Sequence, residues 1–124
     1  MSQERRRFVR VAYTTVVKWG KVASSSKSVS VIPDVSKDIS AGGIRLLLSE
    51  ILKVGDELEL EFILPPYRVF NVRGTVRWAN TIELISDEGK VTMYYTGVEF
   101  STISDEDKDF INQFVMSLHS TLKR

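Results

Sequence analysis

The chain has no cysteine and only one histidine among its 124 residues, and these two shortages exclude several kinds of chemistry. Without cysteine there can be no disulfide, no thiol nucleophile and no cysteine-ligated zinc. The single histidine gives no serine a plausible general base, and the sequence contains no clustered metal ligands. We therefore expect neither an enzyme nor a resident cofactor or metal. The lack of cysteine also suits a reducing cytoplasm.

Long apolar runs and an excess of charge of one sign are also missing. No apolar run approaches the roughly 18 residues of a membrane-spanning helix, and the arginine-rich N-terminus lacks the apolar core of a signal peptide. Lysine and arginine number 17 against 16 aspartates and glutamates, so there is no broad basic field of the kind that binds long nucleic acids. We expect one cytoplasmic domain with no membrane insertion and no nucleic acid partner.

Most of the sequence is typical of short β-strands separated by turns. Residues 57–62 alternate strictly between acidic and apolar side chains, the pattern of a half-buried strand. Pro65-Pro66 ends this strand, and Asp87-Glu88-Gly89-Lys90 is typical of a hairpin turn. The predicted strands run from Val11 toward Val22, Ser28 to Val35, Ile44 to Leu48, Glu57 to Phe62, Val69 to Ala79 and Val91 to Phe100.

The last strand leads into a predicted helix over about residues 104–122. Ser104 is a favourable N-cap, and acidic residues fill the first turn, where the helix dipole stabilises them. Strands followed by one amphipathic helix predict a small antiparallel barrel that a helix plugs or flanks. In the last strand we expect four side chains to face inward, namely Met93, Tyr95, Val98 and Phe100. One apolar stripe follows along the helix: Phe110, Ile111, Phe114, Val115, Leu118 and Leu122.

The N-terminus carries four arginines within six residues: Arg5, Arg6, Arg7 and Arg10. A guanidinium forms bidentate hydrogen bonds with a phosphate or with the O6/N7 edge of guanine, and its plane can stack on a base. A local cluster of positive charge on a chain whose net charge is nearly balanced favours a small anionic ligand over a polyanion. Two alternatives remain open from this run alone, a solvated basic terminus and a nucleic-acid-binding arm.

A second polar motif, Asp38-x-Ser40-x-x-Gly43, lies between two apolar stretches. The Asp38 carboxylate can accept hydrogen bonds from the N1–H and N2–H₂ groups of guanine, which arginine cannot do. The Ser40 hydroxyl can bond a base or phosphate oxygen, and a glycine at 43 permits positive φ and a close approach of the backbone to a ligand. Taken alone, the motif is also compatible with an ordinary turn between strands.

Together, Arg6-x-x-x-Arg10 and Asp38-x-Ser40-x-x-Gly43 resemble the paired motifs of the PilZ domain, a bacterial receptor module for cyclic di-GMP. Further likenesses are the Arg77-Trp78-Ala79 segment and the Gly97-Val98-Glu99-Phe100 strand before the predicted helix, so the resemblance extends over nearly the whole chain. It implies a mainly β fold, a six-stranded antiparallel barrel with a C-terminal helix. It also implies that residues 1–12 form a flexible lead and that residues 13–124 form the barrel and helix.

The resemblance implies a set of ligand-binding residues as well. Arg6 and Arg10 would hold phosphates and guanine edges from the lead, flanked by Arg7, while Asp38, Ser40 and Gly43 would contact the other face of the ligand. In this family the residue before the arginine motif influences whether one or two ligands bind. Arg5 occupies that position and fits the mode with two intercalated ligands.

Trp78 has two possible roles. Its indole could stack beside a guanine at the barrel surface, or it could pack in the core as an ordinary strand aromatic. The sequence leaves this choice open.

The resemblance implies a cyclic di-GMP receptor that orders its N-terminal lead on binding and thereby signals to an unidentified downstream protein. Two alternatives remain: a PilZ interaction module that does not respond to the nucleotide, and a nucleic-acid-binding barrel, which the balanced charge disfavours. No residue selects an output among motility, polysaccharide synthesis, pili and virulence.

Overall fold

The computed structural model describes residues 8–22 and 34–122, which form seven β-strands and one α-helix. The strands are β1 (Val11–Ala12), β2 (Val16–Lys21), β3 (Asp34–Ser40), β4 (Gly43–Leu48), β5 (Glu57–Leu64), β6 (Arg68–Ser86) and β7 (Gly89–Thr102). The helix α1 spans Asp105–Leu122. Most of the strand predicted from Ser28 to Val35 lies outside the described residues.

Six of these strands close into a ring. The hydrogen-bonded order is β3-β2-β5-β6-β7-β4, and β4 pairs back onto β3 with antiparallel register. The two-residue β1 continues the line of β2 along β3, since Val11 lies opposite Ile39 and Val16 lies opposite Val35. The predicted six-stranded antiparallel barrel with a C-terminal helix is confirmed. Val11 and Ala12, which the sequence assigned to the end of the lead, pair with the sheet.

Alternating side chains of the ring fill the barrel. In β5 the apolar residues of the predicted alternation are buried and the glutamates between them face outward. Phe62 stacks on Phe70 at a ring-centroid distance of 5.3 Å and on Phe100 at 6.3 Å. Such aromatic pairs contribute roughly 0.5–1.5 kcal/mol beyond the area that they bury. Core packing therefore determines which alternate residues of each strand face inward, and so which residues face outward.

Helix α1 closes one side of the barrel as its apolar stripe predicts. Ser104 caps it, because the Ser104 hydroxyl accepts a hydrogen bond from the Asp107 backbone N–H at 3.1 Å. Ile111 and Val115 are fully buried against the barrel. On the strand side, the Arg68 guanidinium lies 2.8 Å from an Asp107 carboxylate oxygen and 4.7 Å from the centre of the Phe110 ring. Packing and this ion pair fix the first turns of the helix.

The two longest strands extend beyond the ring as a two-stranded ribbon. β5 pairs only with residues 68–75 of β6, and β4 pairs only with residues 94–99 of β7. Past these points β6 and β7 pair with each other up to the predicted turn at Asp87 and Glu88. The sequence prediction ended the first of these strands at Ala79, which is too short. Residues 80–86 are held by strand pairing and bury little, so they lack the apolar pattern of a core strand.

Within residues 8–22 and 34–122, no helix has both the length and the apolar character that crossing a membrane requires.

Candidate functional site

The Asp38 carboxylate is the centre of a polar cluster at the barrel wall. Arg10 Nη1 lies 2.6 Å from Oδ1, and Arg45 Nε lies 2.9 Å from Oδ1 and 2.8 Å from Oδ2. The Tyr95 hydroxyl donates to Oδ2 at 3.4 Å. The Asp38 side chain is 12% exposed, so these donors replace the water that a partly buried carboxylate has lost.

Strand register places this cluster in a row that crosses four strands. Asp38 of β3 lies opposite Arg45 of β4, Arg45 lies opposite Gly97 of β7, and Gly97 lies opposite Trp78 of β6. Residues opposite one another in a sheet share a face. An acid, a base, a glycine and an indole are therefore aligned on one outer surface, although they are far apart in the sequence.

The Asp38-x-Ser40-x-x-Gly43 motif forms the β3–β4 hairpin, which lies at one end of this row of residues. Ser40 pairs with Gly43 across the two-residue loop between β3 and β4. The Ser40 hydroxyl accepts a hydrogen bond from the Gly42 backbone N–H at 3.1 Å, and its contact with the Gly43 carbonyl is longer, at 3.5 Å. Ser40 is buried, and its hydroxyl stabilises the turn through these contacts. The motif therefore has a structural role whether or not a ligand is present.

Gly43 is required by a close approach between strands. A Cβ atom at this position would lie 2.3 Å from the Val98 carbonyl oxygen of β7. Its φ is not in the left-handed region, in contrast to Gly55 and Gly89. The close approach at Gly43 is thus to the backbone of the neighbouring strand, and the glycine does not use the positive φ that it permits. An approach of this backbone to a ligand stays a prediction.

Trp78 lies on the outer face of the sheet, and its core alternative is wrong. The indole lies over Gly97, where a Cβ would come within 2.3 Å of two indole atoms. Its ring meets Tyr95 edge-on, with centroids 5.3 Å apart. Tyr95 was expected to face inward and does not, since it differs in parity from Val98, which is buried in the core.

These residues border an open cavity of about 1500 Å³. Among the described residues that line it, four carry cationic side chains, Arg10, Arg45, Arg77 and Lys108, against a single carboxylate, Glu99. The remaining lining residues are Phe8, Ser40, Ala41, Gly42, Gly43, Ile44, Trp78, Gly97, Val98, Phe100 and Ile103. A cavity with several cations and a partly exposed indole suits an anionic ligand that has an aromatic base. In the part of the chain that the structure describes, no three acidic or histidine side chains are grouped to hold a metal ion.

The N-terminal segment connects this cavity with helix α1. Phe8 packs over Gly42, and the Lys108 ammonium lies 4.8 Å from the centre of its ring. Tyr13 meets Phe114 edge-on at 5.0 Å. Residues 8–13 therefore touch both the cavity, through Arg10, and the helix.

The structure brings together most of the site residues that the sequence predicts. Arg10, Ser40, Gly43 and Trp78 line the cavity, and Asp38 contacts Arg10 and Arg45 beside it. Arg5, Arg6 and Arg7 lie outside the described residues. Arg45, which is not among the predicted site residues, contacts Asp38, as does Tyr95, which was expected in the core. Arg45 could have been found from the hairpin register, because a pairing of Ser40 with Gly43 puts residue 45 opposite residue 38.

The chain belongs to the PilZ domain family, whose model matches residues 4–117. A search of curated proteins found no match.

Several solved structures share the fold of this chain. The PilZ domain with c-di-GMP of YcgR from Escherichia coli is 19% identical, with a TM-score of 0.71 over 96% of this chain and 95% of that one. The inhibitor of motility MotI/DgrA of Bacillus subtilis is 23% identical, with a TM-score of 0.72 over 97% of this chain and 54% of that one. The MrkH–c-di-GMP complex of K. pneumonia is 20% identical, with a TM-score of 0.73 over 97% and 55%. The chain thus spans about half the length of MotI/DgrA and of MrkH.

Proposed function

We propose that this chain is a receptor for cyclic di-GMP and that the cavity beside Asp38 is its binding site. The observation that carries the proposal is the meeting of two motifs 28 residues apart, with Arg10 Nη1 2.6 Å from Asp38 Oδ1 at the edge of a cationic cavity. Membership in a family of binding modules supports it, as do two structural neighbours that were solved with c-di-GMP. We propose a binding function for this chain and not a catalytic one.

The cations would bind the phosphates of the ligand. Arg10 and Arg6 would contact phosphate oxygens and guanine edges, with Arg7 beside them. Charge-assisted hydrogen bonds contribute roughly 1.5–3 kcal/mol each, and micromolar affinity corresponds to about −8 kcal/mol. A few such bonds suffice even after the cost of ordering the side chains.

The bases would be recognised at the row of residues across β3, β4, β7 and β6. Asp38 would accept from N1–H and N2–H₂ of a guanine, next to Ser40 and Gly43 at the hairpin. Trp78 presents its ring over Gly97, where a base could stack on it for roughly 1–3 kcal/mol. Arg5, which precedes the arginine motif, would favour two ligand molecules per chain.

The signal would pass through the N-terminal segment. Phe8 and Tyr13 already contact residues of helix α1, while Arg10 between them contacts Asp38. Binding that moves Arg10 away from Asp38 and brings Arg5, Arg6 and Arg7 into contact with the ligand would change the surface formed by this segment and the helix. A downstream protein could recognise that surface, and the receptor would work in the cytoplasm, where the nucleotide acts.

The partner is a separate proposal from the ligand. One structural neighbour is an inhibitor of motility and another is a c-di-GMP-dependent transcription regulatory factor. Both are about twice as long as this chain. We propose a protein partner here, since the nearly balanced charge of +1 disfavours a long nucleic acid.

A nucleotide-independent interaction module is the competing function, and one observation favours it. Asp38 already has Arg10, Arg45 and Tyr95 as partners, which is also the arrangement of a purely structural ion-pair network. The two functions differ in whether the ligand displaces any of these contacts.

Isothermal titration calorimetry of cyclic di-GMP into the wild-type chain and into an Arg6→Ala/Arg10→Ala variant tests the proposal. We expect saturable binding at low-micromolar concentration or tighter in the wild type and none in the double variant. A ratio near two ligands per chain would support the role of Arg5. An absence of heat in the folded wild type would favour the interaction module.

A further inference from the structure

Arg45 differs from the other donors to Asp38 in how it is held and in what it contacts. Its strand, β4, is hydrogen-bonded to β3 on one side and to β7 on the other. Arg10 precedes β1 and lies outside any strand. The backbone that carries Arg45 is therefore fixed by two ladders, while the backbone that carries Arg10 is fixed by none.

The contacts with the two Asp38 carboxylate oxygens also distinguish Arg45 from the other donors. Arg10 contacts Oδ1 alone and Tyr95 contacts Oδ2 alone, whereas the single Nε of Arg45 lies within 2.9 Å of both oxygens. A carboxylate offers about four lone-pair sites, and these contacts occupy them. A guanine edge with two parallel donors needs one site on each oxygen, so it can bind only by displacing existing contacts.

Arg10 and Tyr95 together occupy the two sites that the guanine edge needs. Tyr95 is the weaker of the two contacts, at 3.4 Å, and Arg10 can exchange the carboxylate for a phosphate of the same ligand. Arg45 would remain in place, because releasing it would leave a carboxylate that is 12% exposed without its fixed partner.

We infer that Arg45 is a positioning residue, which holds the Asp38 carboxylate so that its two oxygens accept from N1–H and N2–H₂ of a guanine. This inference rests on the proposed function. Asp38, held in place by Arg45, would select guanine, whereas Arg10 would contact the phosphates. Loss of Arg45 should therefore weaken the preference for guanine more than it weakens binding of the phosphates.

The preference for guanine can be measured with an analogue. Hypoxanthine lacks the exocyclic N2 amino group and keeps N1–H, so cyclic di-IMP loses one donor to Asp38 and retains both phosphates. We would titrate wild type, Arg45→Ala and Arg45→Lys with cyclic di-GMP and with cyclic di-IMP. Arg73→Ala is the matched control, because it removes an arginine whose partner Glu59 is on an exposed part of the sheet.

We expect wild type and Arg73→Ala to bind cyclic di-GMP about tenfold or more tightly than cyclic di-IMP. Arg45→Ala should reduce this ratio to about threefold or less, and Arg45→Lys, which keeps a cationic donor, should restore part of it. If Arg45→Ala is unfolded by circular dichroism, Arg45→Met, which keeps the length of the side chain without an N–H donor, takes its place with the same expectation. An unchanged ratio in a folded variant would overturn the role of Arg45 while leaving the receptor intact. Absence of binding in wild type would overturn the receptor and this inference together.

Discussion

Arg10 and Asp38, 28 residues apart in the sequence, form an ion pair of 2.6 Å at the edge of the cavity. The pair links the N-terminal segment to the β3–β4 hairpin. It also means that the carboxylate is occupied by a cation of the same chain before any ligand arrives. In the proposed receptor, ligand binding is thus an exchange in which Arg10 leaves Asp38 for a phosphate.

Replacing Arg10 with alanine should weaken cyclic di-GMP binding by at least about 1.5 kcal/mol, or more than tenfold. The loss of a charge-assisted phosphate contact outweighs the release of Asp38, which Arg45 still holds. Raising the salt concentration should weaken wild-type binding strongly and the variant less, since one fewer charge is involved. Calorimetry at two ionic strengths measures both effects. Equal affinity and equal salt dependence in wild type and variant would place the ligand elsewhere.

Gly43→Ala should destabilise the fold by roughly 1–3 kcal/mol, the usual cost of forcing extra atoms into a packed site. The new methyl group would lie 2.3 Å from the Val98 carbonyl oxygen, and backbone cannot move aside as a side chain can. Gly20→Ala is the control, because a Cβ there would meet no described atom within 4 Å beyond its chain neighbours and its φ is not left-handed. Urea denaturation should show the difference, and equal midpoints for the two variants would refute the close-approach argument.

Gly97→Ala should act on the indole and leave most of the stability in place. Its methyl group would meet Trp78 side-chain atoms at 2.3 Å, and a partly exposed ring can swing outward. We expect a red shift of tryptophan emission and a loss of cyclic di-GMP affinity of up to the roughly 1–3 kcal/mol typical of base stacking. The buried Trp19 supplies a constant background to the emission. Unchanged emission would mean that the ring had not moved.

Arg68→Ala should separate stability from binding. This arginine pairs with Asp107 at 2.8 Å and lies over Phe110 at 4.7 Å, and none of these three residues lines the cavity. Loss of an ion pair and a cation–π contact that are both partly shielded should cost about 1–2 kcal/mol of unfolding free energy. Affinity for cyclic di-GMP should stay within about twofold of wild type. A larger loss of affinity would indicate that the Arg68–Asp107 pair sets the position of Lys108, the residue of helix α1 that lines the cavity.

Local patterns in the sequence predict the strands, the helix and the hairpin motif, whereas the six-stranded ring is implied by the resemblance to the PilZ domain. Strict alternation in residues 57–62 predicts β5, Ser104 predicts the start of the helix, and the motif from Asp38 to Gly43 predicts the turn. The full length of the β6–β7 ribbon does not follow from the sequence, since residues 80–86 are held by pairing with β7 and bury little apolar surface.

Two site residues escaped prediction for a different reason. Tyr95 was placed inside because aromatic residues usually mark a core face, and Gly97 obscured the parity that puts it outside with Trp78. Arg45 stands alone in an apolar strand, where a single arginine carries no motif. Its role depends on the register of the β3–β4 hairpin, which sets it opposite Asp38 once Ser40 pairs with Gly43. The sequence motif alone does not show that these two residues pair.

The most direct test of the proposed receptor site is a titration of the ¹⁵N-labelled chain with cyclic di-GMP, followed by two-dimensional NMR. The account predicts saturable shifts of the Gly97 amide, the Trp78 indole N–H and the amides around Ser40. Signals of Val16 and Ile63, which lie exposed on the strands across the ring, should not move. Shifts confined to Val16 and Ile63, or none at excess ligand, would contradict it.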